Sequence, residues 1–321
     1  MLVSGGTGFV GSHLVRRLHG EGAEVHLLVR PTTAPWRLGE LVPELSLTLG
    51  EIVSPDDVRT VVRAARPEII VNLAGMRRLD RGIGMIDTSV DVNLRGTLNL
   101  AKAVQAENVA LRCFLQIGSF EEYGSGPVPF DEEQRERPVS PYSASKVAAT
   151  QFCQMLYRTL RFPAIVLRSC HLYGPAQDPD MLIPLIIAHC LHDVNFQMRS
   201  GDQTRDLGYV GDMVEAFVRA AGCPDAVGEV INVGSGREYR IRDVAEAIVK
   251  ATGSRARVEV GAVPVRPAEV QRTFGRIDKA RRLLGWSPKV DLDDGLRTTI
   301  AWYRQAGIGR PEPVRSGGDR R

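Results

Sequence analysis

A tyrosine and a lysine four positions apart are the pair in this sequence best suited to proton chemistry. In the stretch Tyr142-Ser-Ala-Ser-Lys146 the two side chains project from one face of a predicted helix. An ammonium group beside a phenol favours the phenolate, so we expect Lys146 to lower the pKa of Tyr142. A tyrosine tuned in this way donates or accepts a proton near neutral pH. The same spacing alone also fits an exposed polar helix start.

The chain begins with a glycine-rich turn suited to a phosphate. An apolar run at residues 1–3 leads into glycines that fit two spacings at once, Gly6-x-Gly8-x-x-Gly11 and Gly5-x-x-Gly8-x-x-Gly11. The pattern predicts a strand, a tight turn and the N-terminus of a helix. Such a helix end offers unpaired N–H groups and partial positive charge to a pyrophosphate. An ordinary βα turn is the alternative for this stretch alone.

Alternating strand-like and helix-like segments position these residues. Buried strands are indicated by short apolar, β-branched runs, and helices by apolar positions that recur every three or four residues. Ser140 caps the longest predicted helix, with Pro141 at its first position. The predicted strands are 24–30, 45–49, 68–73, 112–117, 164–167 and 229–233, and the predicted helices are 56–65, 91–107, 141–160, 181–191, 212–221, 241–252 and 293–305.

Repeated βα units predict an α/β fold, a Rossmann-type doubly wound parallel sheet with a smaller mixed α/β C-terminal substrate domain. The regular alternation of strands and helices ends after Tyr173-Gly174-Pro175, and residues 258–285 are predicted to be irregular. We expect a dinucleotide-binding domain at 1–170 plus about 206–233. The substrate domain would take about 171–205 and 234–309, followed by a mobile polar tail at 310–321.

Composition narrows the function. The 321 residues are 43% hydrophobic and 25% charged, with a net charge of +3, and no basic block suggests nucleic-acid binding. No apolar run is long enough to cross a membrane. Five scattered cysteines show neither metal-ligand spacing nor a disulfide framework, which favours a reducing, cytoplasmic setting and no metal.

The motifs together resemble the extended short-chain dehydrogenase/reductases that act as nucleotide-sugar epimerases, dehydratases and reductases. The resemblance runs from Met1 to about Gly307. It is carried by Gly5–Gly11, Asn72–Gly75, Asn93, Ser119 with Tyr123-Gly124, Tyr142–Lys146, Leu172–Pro175, Arg205-Asp206, Arg266-Pro267 and Leu284–Pro288.

The resemblance implies roles for individual residues. Tyr142 would be the catalytic acid/base, Lys146 would hold the nicotinamide ribose, and Ser119 would hydrogen-bond the sugar oxygen that becomes or starts as a carbonyl. Cofactor contacts are implied for Gly5, Gly8, Phe9, Val10, Gly11, Arg30, Glu51, Ile52, Leu73, Ala74, Gly75, Asn93, Tyr142 and Lys146. Substrate contacts are implied for Ser119, Phe120, Glu121, His171, Arg205 and Arg266, the two arginines on the diphosphate.

The end of the second strand predicts the cofactor. An acidic residue about 20 positions past the glycines would bind the ribose 2′-OH of NAD. Arg30 stands there instead, and an arginine suits the 2′-phosphate of NADP. We therefore expect NADP(H), with NAD as the remaining possibility.

The residues after Ser119 bear on the reaction. In 4,6-dehydratases of this group an Asp–Glu pair commonly follows the catalytic Ser/Thr and removes water across C5–C6. Here Phe120 replaces the first carboxylate, and Glu121 remains as a catalytic candidate. His171 stands where relatives commonly have an Asn that touches the substrate. The pattern Gly-Ser-x-Glu-Glu-Tyr-Gly is most similar to 4-ketoreductases, although an acidic turn facing solvent is also compatible with it.

The expected function is therefore NADPH-dependent reduction of the C4 ketone of a nucleotide-activated 4-keto-6-deoxyhexose, in a homodimer. A nucleotide-sugar 4,6-dehydratase or 4-epimerase with tightly bound NAD(P) is the alternative. A non-catalytic NADP(H) sensor is a remote one, because Tyr142 and Lys146 are both present.

Overall fold

The computed structural model describes residues 1–76, 82–262 and 270–310, and its centre is a parallel sheet. Seven strands of the described residues pair in the order β11-β6-β5-β4-β1-β2-β3, and every pairing is parallel. The strands are β1 (Leu2–Ser4), β2 (His26–Val29), β3 (Ser46–Leu49), β4 (Ile69–Asn72), β5 (Cys113–Ser119), β6 (Ala164–Ser169) and β11 (Val230–Val233).

The strand order reverses beside β1, which makes that strand the switch point of the sheet. Leu2 aligns with His26 on one side and with Ile70 on the other. The chain therefore runs outward through β2 and β3 before it returns to β4. Ligands bind at the carboxyl ends of strands at such a switch point.

Helices cover both faces of this sheet. The α-helices of the described residues, on the sheet and in the C-terminal half, are α1 (Phe9–Gly20), α2 (Pro55–Ala65), α3 (Ile86–Ser89), α4 (Gly96–Ala106), α5 (Pro141–Leu160), α6 (Leu182–Leu191), α7 (Val210–Ala221), α8 (Ile241–Thr252), α9 (Asp278–Leu284) and α10 (Leu292–Ala306). One apolar core packs α1, α7 and α9 on the sheet, and the other packs α2, α4 and α5 on the opposite face.

A third apolar core lies in the C-terminal half, where α6, α8 and α10 pack together. Small two- and three-stranded sheets surround it. Their strands are β7 (His171–Tyr173), β8 (Phe196–Met198), β9 (Thr204–Arg205), β10 (Leu207–Tyr209), β12 (Tyr239–Arg240), β13 (Val258–Val260) and β14 (Arg272–Thr273). The predicted fold class is confirmed, whereas the domain boundaries stay predictions.

The predicted elements differ from the structure in two places. The helix expected at 91–107 belongs to a longer helical run that starts at Ile86 and contains a π-helical turn at Val90–Arg95. The expectation of irregular structure over 258–285 was wrong in part, because that range contains β13, β14 and α9. Helix α5 has its predicted bounds, with the Ser140 side chain accepting the N–H of Ser143. Most of the expected tail lies outside the described residues.

Candidate active site

The glycine turn between β1 and α1 has the geometry of a phosphate cradle. Gly5 has φ +70°, and its carbonyl accepts the N–H of Gly8 at 3.0 Å. A Cβ on Gly11 would stand 2.1 Å from the Gly5 oxygen, so only glycine allows α1 to start this close to the turn. No side chain caps the α1 N-terminus and its first turn has no acidic residue. These N–H groups therefore suit an anionic ligand.

The segment after β4 lies directly against the glycine turn. A Cβ on Gly5 would be 2.7 Å from the backbone of Leu73 and Ala74. A Cβ on Gly75, one residue further, would meet the side chains of Asn93 and Lys146 at 3.3 and 3.4 Å. Gly75 is thus the point where the predicted cofactor groove reaches Lys146.

Asn93 is held rigidly at this point. It is 1% exposed, its amide donates to the Ser145 hydroxyl at 2.9 Å, and its carbonyl oxygen accepts the N–H of Met76 at 3.2 Å. Asn93 therefore ties the loop after β4 to the first turns of α5.

Two neighbouring strand ends mark the other end of the groove. Arg30 directly follows β2 and is exposed, while Glu51 follows β3 after one residue. The backbone N–H of Glu51 donates to Asp57, and Ile52 is buried against Gly96. Arg30 is the cationic residue at this edge, where the sequence predicts the adenosine ribose.

Ser119, Tyr142 and Lys146 meet where β5 ends beside α5. The Ser119 and Tyr142 side chains are hydrogen-bonded. Lys146 is 3% exposed, and its Nζ donates to the Ile117 carbonyl at 3.0 Å and lies 5.9 Å from the centre of the Tyr142 ring. The predicted catalytic residues therefore form one cluster.

Burial changes the proton affinities in this cluster in a direction that the sequence did not predict. Burial raises the pKa of Tyr142, and the negative charges of Glu121 and Glu122 raise it further against the hydrogen bond from Ser119. Burial lowers the pKa of Lys146 to about 8. The expectation that Lys146 depresses the pKa of Tyr142 was wrong for this structure, because desolvation and two carboxylates act on the phenol.

Glu122 is a residue of this site that the sequence analysis missed. It is fully buried, and its Oε1 accepts the Ser119 backbone N–H at 2.8 Å. Its Oε2 accepts from the Thr150 hydroxyl and from Arg168 Nε, both at 2.8 Å. Glu122 therefore fixes the backbone of Ser119. The spacing Ser119-x-x-Glu122 is that of a capping box, and this signal was available in the sequence.

Glu121 and His171 form a second polar pair beside the cluster. Glu121 Oε1 lies 3.5 Å from His171 Nε2, and the two side chains are 15% and 30% exposed. His171 begins β7, so the pair joins the turn after β5 to the segment after β6. Both residues were predicted to face the substrate, and the structure brings them together.

Phe120 does not face the cleft. Its side chain is 1% exposed and packs edge-to-face on Phe130 and Tyr123. A Cβ on Gly275 would stand 2.5 Å from the ring, which shows how tightly that glycine covers it. The Phe120 side chain therefore packs inside the protein and does not make the predicted contact with the substrate.

The predicted diphosphate arginines have different outcomes. Arg205 lies in β9, beside Asp206, whose carbonyl accepts the backbone N–H of His171 at 3.1 Å. Arg205 therefore directly precedes the residue that hydrogen-bonds the backbone of His171. The contact of Arg205 with a substrate stays a prediction. Arg266 lies outside the described residues. Those residues contain no group of His, Cys, Asp or Glu arranged to hold a metal, and no helix of them is long and apolar enough to span a membrane.

Comparison with known proteins identifies the family. Residues 2–299 match the family described as GDP-mannose 4,6 dehydratase. The chain belongs to this family of nucleotide-sugar dehydratases and epimerases. It is 30% identical to the dTDP-D-glucose 4,6-dehydratase of Mus musculus, over 95% of the chain and 88% of that protein. It is 32% identical to the UDP-glucose 4-epimerase of Mycolicibacterium smegmatis, over 94% and 98%.

A solved relative extends the family assignment to the structure. The dTDP-glucose 4,6-dehydratase of Bacillus anthracis, solved in complex with NAD, superposes with a TM-score of 0.83 at 28% identity. The match covers 95% of this chain and 96% of that protein. The uncapped glycine turn and the groove toward Lys146 fit a dinucleotide of this kind.

The buried Glu122–Arg168 pair generates a prediction about stability. We expect Glu122→Gln to lower the free energy of unfolding by about 3 kcal/mol, because Arg168, 1% exposed, would keep its charge without its main partner. Urea unfolding followed by circular dichroism measures the change. Glu136→Gln is the matched control, since Glu136 also pairs with Arg168 but is 17% exposed and should cost less. Equal losses in the two variants would contradict the assignment.

The lowered pKa of Lys146 generates a second prediction, for the dependence of stability on pH. Below pH 8 the folded protein bears the cost of a buried charge. Between about pH 8 and pH 10.5 Lys146 keeps its proton only in the unfolded chain, so the free energy of unfolding of the wild type rises with pH. We expect a rise of about 3 kcal/mol relative to Lys146→Met, which cannot titrate. Denaturant midpoints of both proteins from pH 7 to 11 measure it, and parallel curves would contradict it.

Proposed function

We propose that this protein is a nucleotide-sugar 4,6-dehydratase that keeps its nicotinamide dinucleotide through the reaction. The observation that carries the proposal is the Glu121–His171 pair beside Ser119 and Tyr142. Oxidation and reduction at C4 need only the Ser-Tyr-Lys cluster. A carboxylate at its edge supplies the additional base that loss of water from the sugar requires.

The structure weakens the basis of the 4-ketoreductase prediction. That prediction rested on the resemblance of the pattern Gly-Ser-x-Glu-Glu-Tyr-Gly to 4-ketoreductases, and the second glutamate of the pattern, Glu122, is buried against Arg168 with no exposed surface. Only Glu121 is left to act on a substrate. The three relatives described above are two dehydratases and an epimerase, and thus favour the alternative that the sequence analysis left open.

The residues of the site act at two carbons of the sugar, C4 and C5. At C4, Tyr142 accepts the hydroxyl proton while Ser119 hydrogen-bonds the oxygen that becomes the ketone. Lys146 and Asn93 line the part of the groove that binds the nicotinamide ribose, and the glycine turn binds the pyrophosphate. The bound dinucleotide supplies the hydride acceptor for C4. At C5, next to the new ketone, Glu121 accepts the acidified proton.

Incubation with candidate substrates tests the proposal. The purified protein, with no added nucleotide, is expected to convert one of a panel of UDP-, dTDP- and GDP-hexoses into a 4-keto-6-deoxy product, seen in the mass spectrum as loss of one water. Conversion to the C4 epimer without water loss would indicate the epimerase. Oxidation of NADPH by 4-keto-6-deoxy sugar nucleotides, with no reaction of the hexoses, would instead support the reductase.

Replacing Tyr142 tests its role in this reaction. Tyr142→Phe is expected to lower kcat by about 10²- to 10⁴-fold, since a positioned acid/base contributes that much. Tyr157→Phe is the matched control, because Tyr157 lies on the same helix α5. Steady-state rates on the substrate found above measure the effect. Equal rates for Tyr142→Phe and the wild type would contradict the assigned role.

We further propose that the dinucleotide is NADP. Arg30 supports this, because it is exposed at the end of β2, where the sequence predicts the adenosine ribose. Its guanidinium suits a phosphate by charge and by its forked donors. The NAD seen in the Bacillus anthracis relative makes NAD the competing cofactor.

Exchange of Arg30 tests the cofactor proposal. Arg30→Asp is expected to weaken NADP binding about 10- to 100-fold, because a charge-assisted contact is lost, while NAD binding changes little or improves. Titration calorimetry on nucleotide-stripped protein measures both affinities. Lys102→Asp, the same charge reversal at an exposed position of α4, is the control. An unchanged ratio of the two affinities would show that Arg30 does not bind the 2′-phosphate.

A homodimer through the helical faces of 91–107 and 141–160 completes the proposal. Phe152 and Met155 leave apolar surface exposed on α5, at 38% and 36%. Ile86 of α3, 44% exposed, adds to the apolar surface of the helices beside it.

A further inference from the structure

The dehydration proposed above needs an acid as well as a base, and the role assigned to that acid below rests on the proposed function. Removal of water from a 4-keto sugar breaks two bonds. A base must take the proton from C5, and an acid must protonate the oxygen that leaves C6. A carboxylate that takes the C5 proton has no proton of its own to give at the same moment, so removal of both groups in one step calls for a second titratable side chain at the substrate.

The residues around Ser119 leave His171 for this task. Phe120 has no titratable atom and is buried at 1% exposure. Glu122 is fully buried and already accepts from Arg168, Thr150 and the Ser119 N–H. Tyr142 and Ser119 are hydrogen-bonded to each other at the C4 position of the site.

His171 has the placement that the task requires. Its Nε2 lies 3.5 Å from Glu121 Oε1, and its side chain is 30% exposed, so a substrate can contact it. Its Nδ1 is buried without a hydrogen-bond partner among the described residues, so Nε2, which faces Glu121, is the ring nitrogen placed to hold a proton for the substrate. Its backbone is fixed, because the N–H donates to the Asp206 carbonyl and β7 pairs with β10.

The two side chains supply the two kinds of group that elimination needs, a carboxylate as the base and an imidazole, once protonated, as the acid. An imidazole moreover gains and loses a proton near neutral pH more readily than any other side chain.

We propose that His171 is the catalytic acid at C6 and acts together with Glu121 as the base at C5. The Glu121 carboxylate takes the C5 proton, and the electrons of that C–H bond form the C5–C6 double bond. The C6–O bond breaks, and its oxygen leaves as water with the proton of the His171 imidazolium. No electron acceptor is consumed in this step. Glu121 is left protonated, His171 is left neutral, and His171 regains a proton from solvent.

A substrate with a better leaving group separates this role from a structural one. The full chain with its bound nucleotide is given the hexose nucleotide that the wild type dehydrates, and the 6-deoxy-6-fluoro analogue of that sugar. Fluoride leaves without needing a proton from a strong acid. His171→Asn is therefore expected to slow water loss about 10²- to 10⁴-fold, yet to eliminate fluoride within about tenfold of the wild type.

Two further measurements locate the defect. Absorbance of the reduced nucleotide in a single turnover reports oxidation at C4, and uptake of deuterium from D₂O reports proton removal at C5. His171→Asn should keep both, whereas Glu121→Gln should keep C4 oxidation and lose C5 exchange with either sugar. His192→Asn is the control and should behave as the wild type, because His192 directly follows α6 and its side chain hydrogen-bonds the backbone carbonyl of Ile308.

The outcomes distinguish this inference from the proposed function. Water loss by His171→Asn at the wild-type rate would overturn the role of His171 and leave the dehydratase proposal standing. An equal defect of His171→Asn on the hydroxy and fluoro sugars would also overturn it, since a displaced substrate and not a missing acid would then explain the loss. Failure of the wild type to remove water from any hexose nucleotide would overturn both.

Discussion

The cluster of Ser119, Tyr142 and Lys146 depends on one buried carboxylate. Glu122 accepts hydrogen bonds from the backbone at the end of β5, from Thr150 on α5 and from Arg168 on β6. These three elements carry or adjoin Ser119, Tyr142 with Lys146, and His171. A single charged group, fully desolvated, therefore sets the relative positions of residues far apart in the chain. Burying such an ion pair contributes little net stability, so its value here is in the geometry that it imposes.

The turn after β5 gives Glu121 its orientation. Its two neighbours are both buried, Phe120 in an apolar cluster with Tyr123 and Phe130, and Glu122 against Arg168. Because both are anchored inside, Glu121 between them is the residue left to face His171. Replacement of a carboxylate by Phe120 thus does more than remove an acid: it supplies an apolar anchor for the turn.

Sequence patterns predicted the sheet and the glycine turn well because those depend on local periodicity and on backbone sterics. Helix α5 was predicted from its capping serine, its proline and its apolar spacing alone. The pairing of Glu121 with His171 joins residues fifty positions apart, one just after β5 and one at the start of β7. No local sequence pattern reveals a contact between residues so far apart in the chain. The helix α9 was missed since its seven residues, rich in charge, are too few to show a clear period.

The proton affinities show the same limit in electrostatic terms. The spacing of Tyr142 and Lys146 correctly places both on one face of α5, yet the sign of the effect on Tyr142 depends on burial and on carboxylates from another element. The Lys146 ammonium group donates a hydrogen bond to the Ile117 carbonyl, and burial lowers the pKa of Lys146. Because burial raises the pKa of Tyr142, the phenol must give up its own proton before it can accept the proton of the C4 hydroxyl. The positive charge of the nearby Lys146 favours that loss.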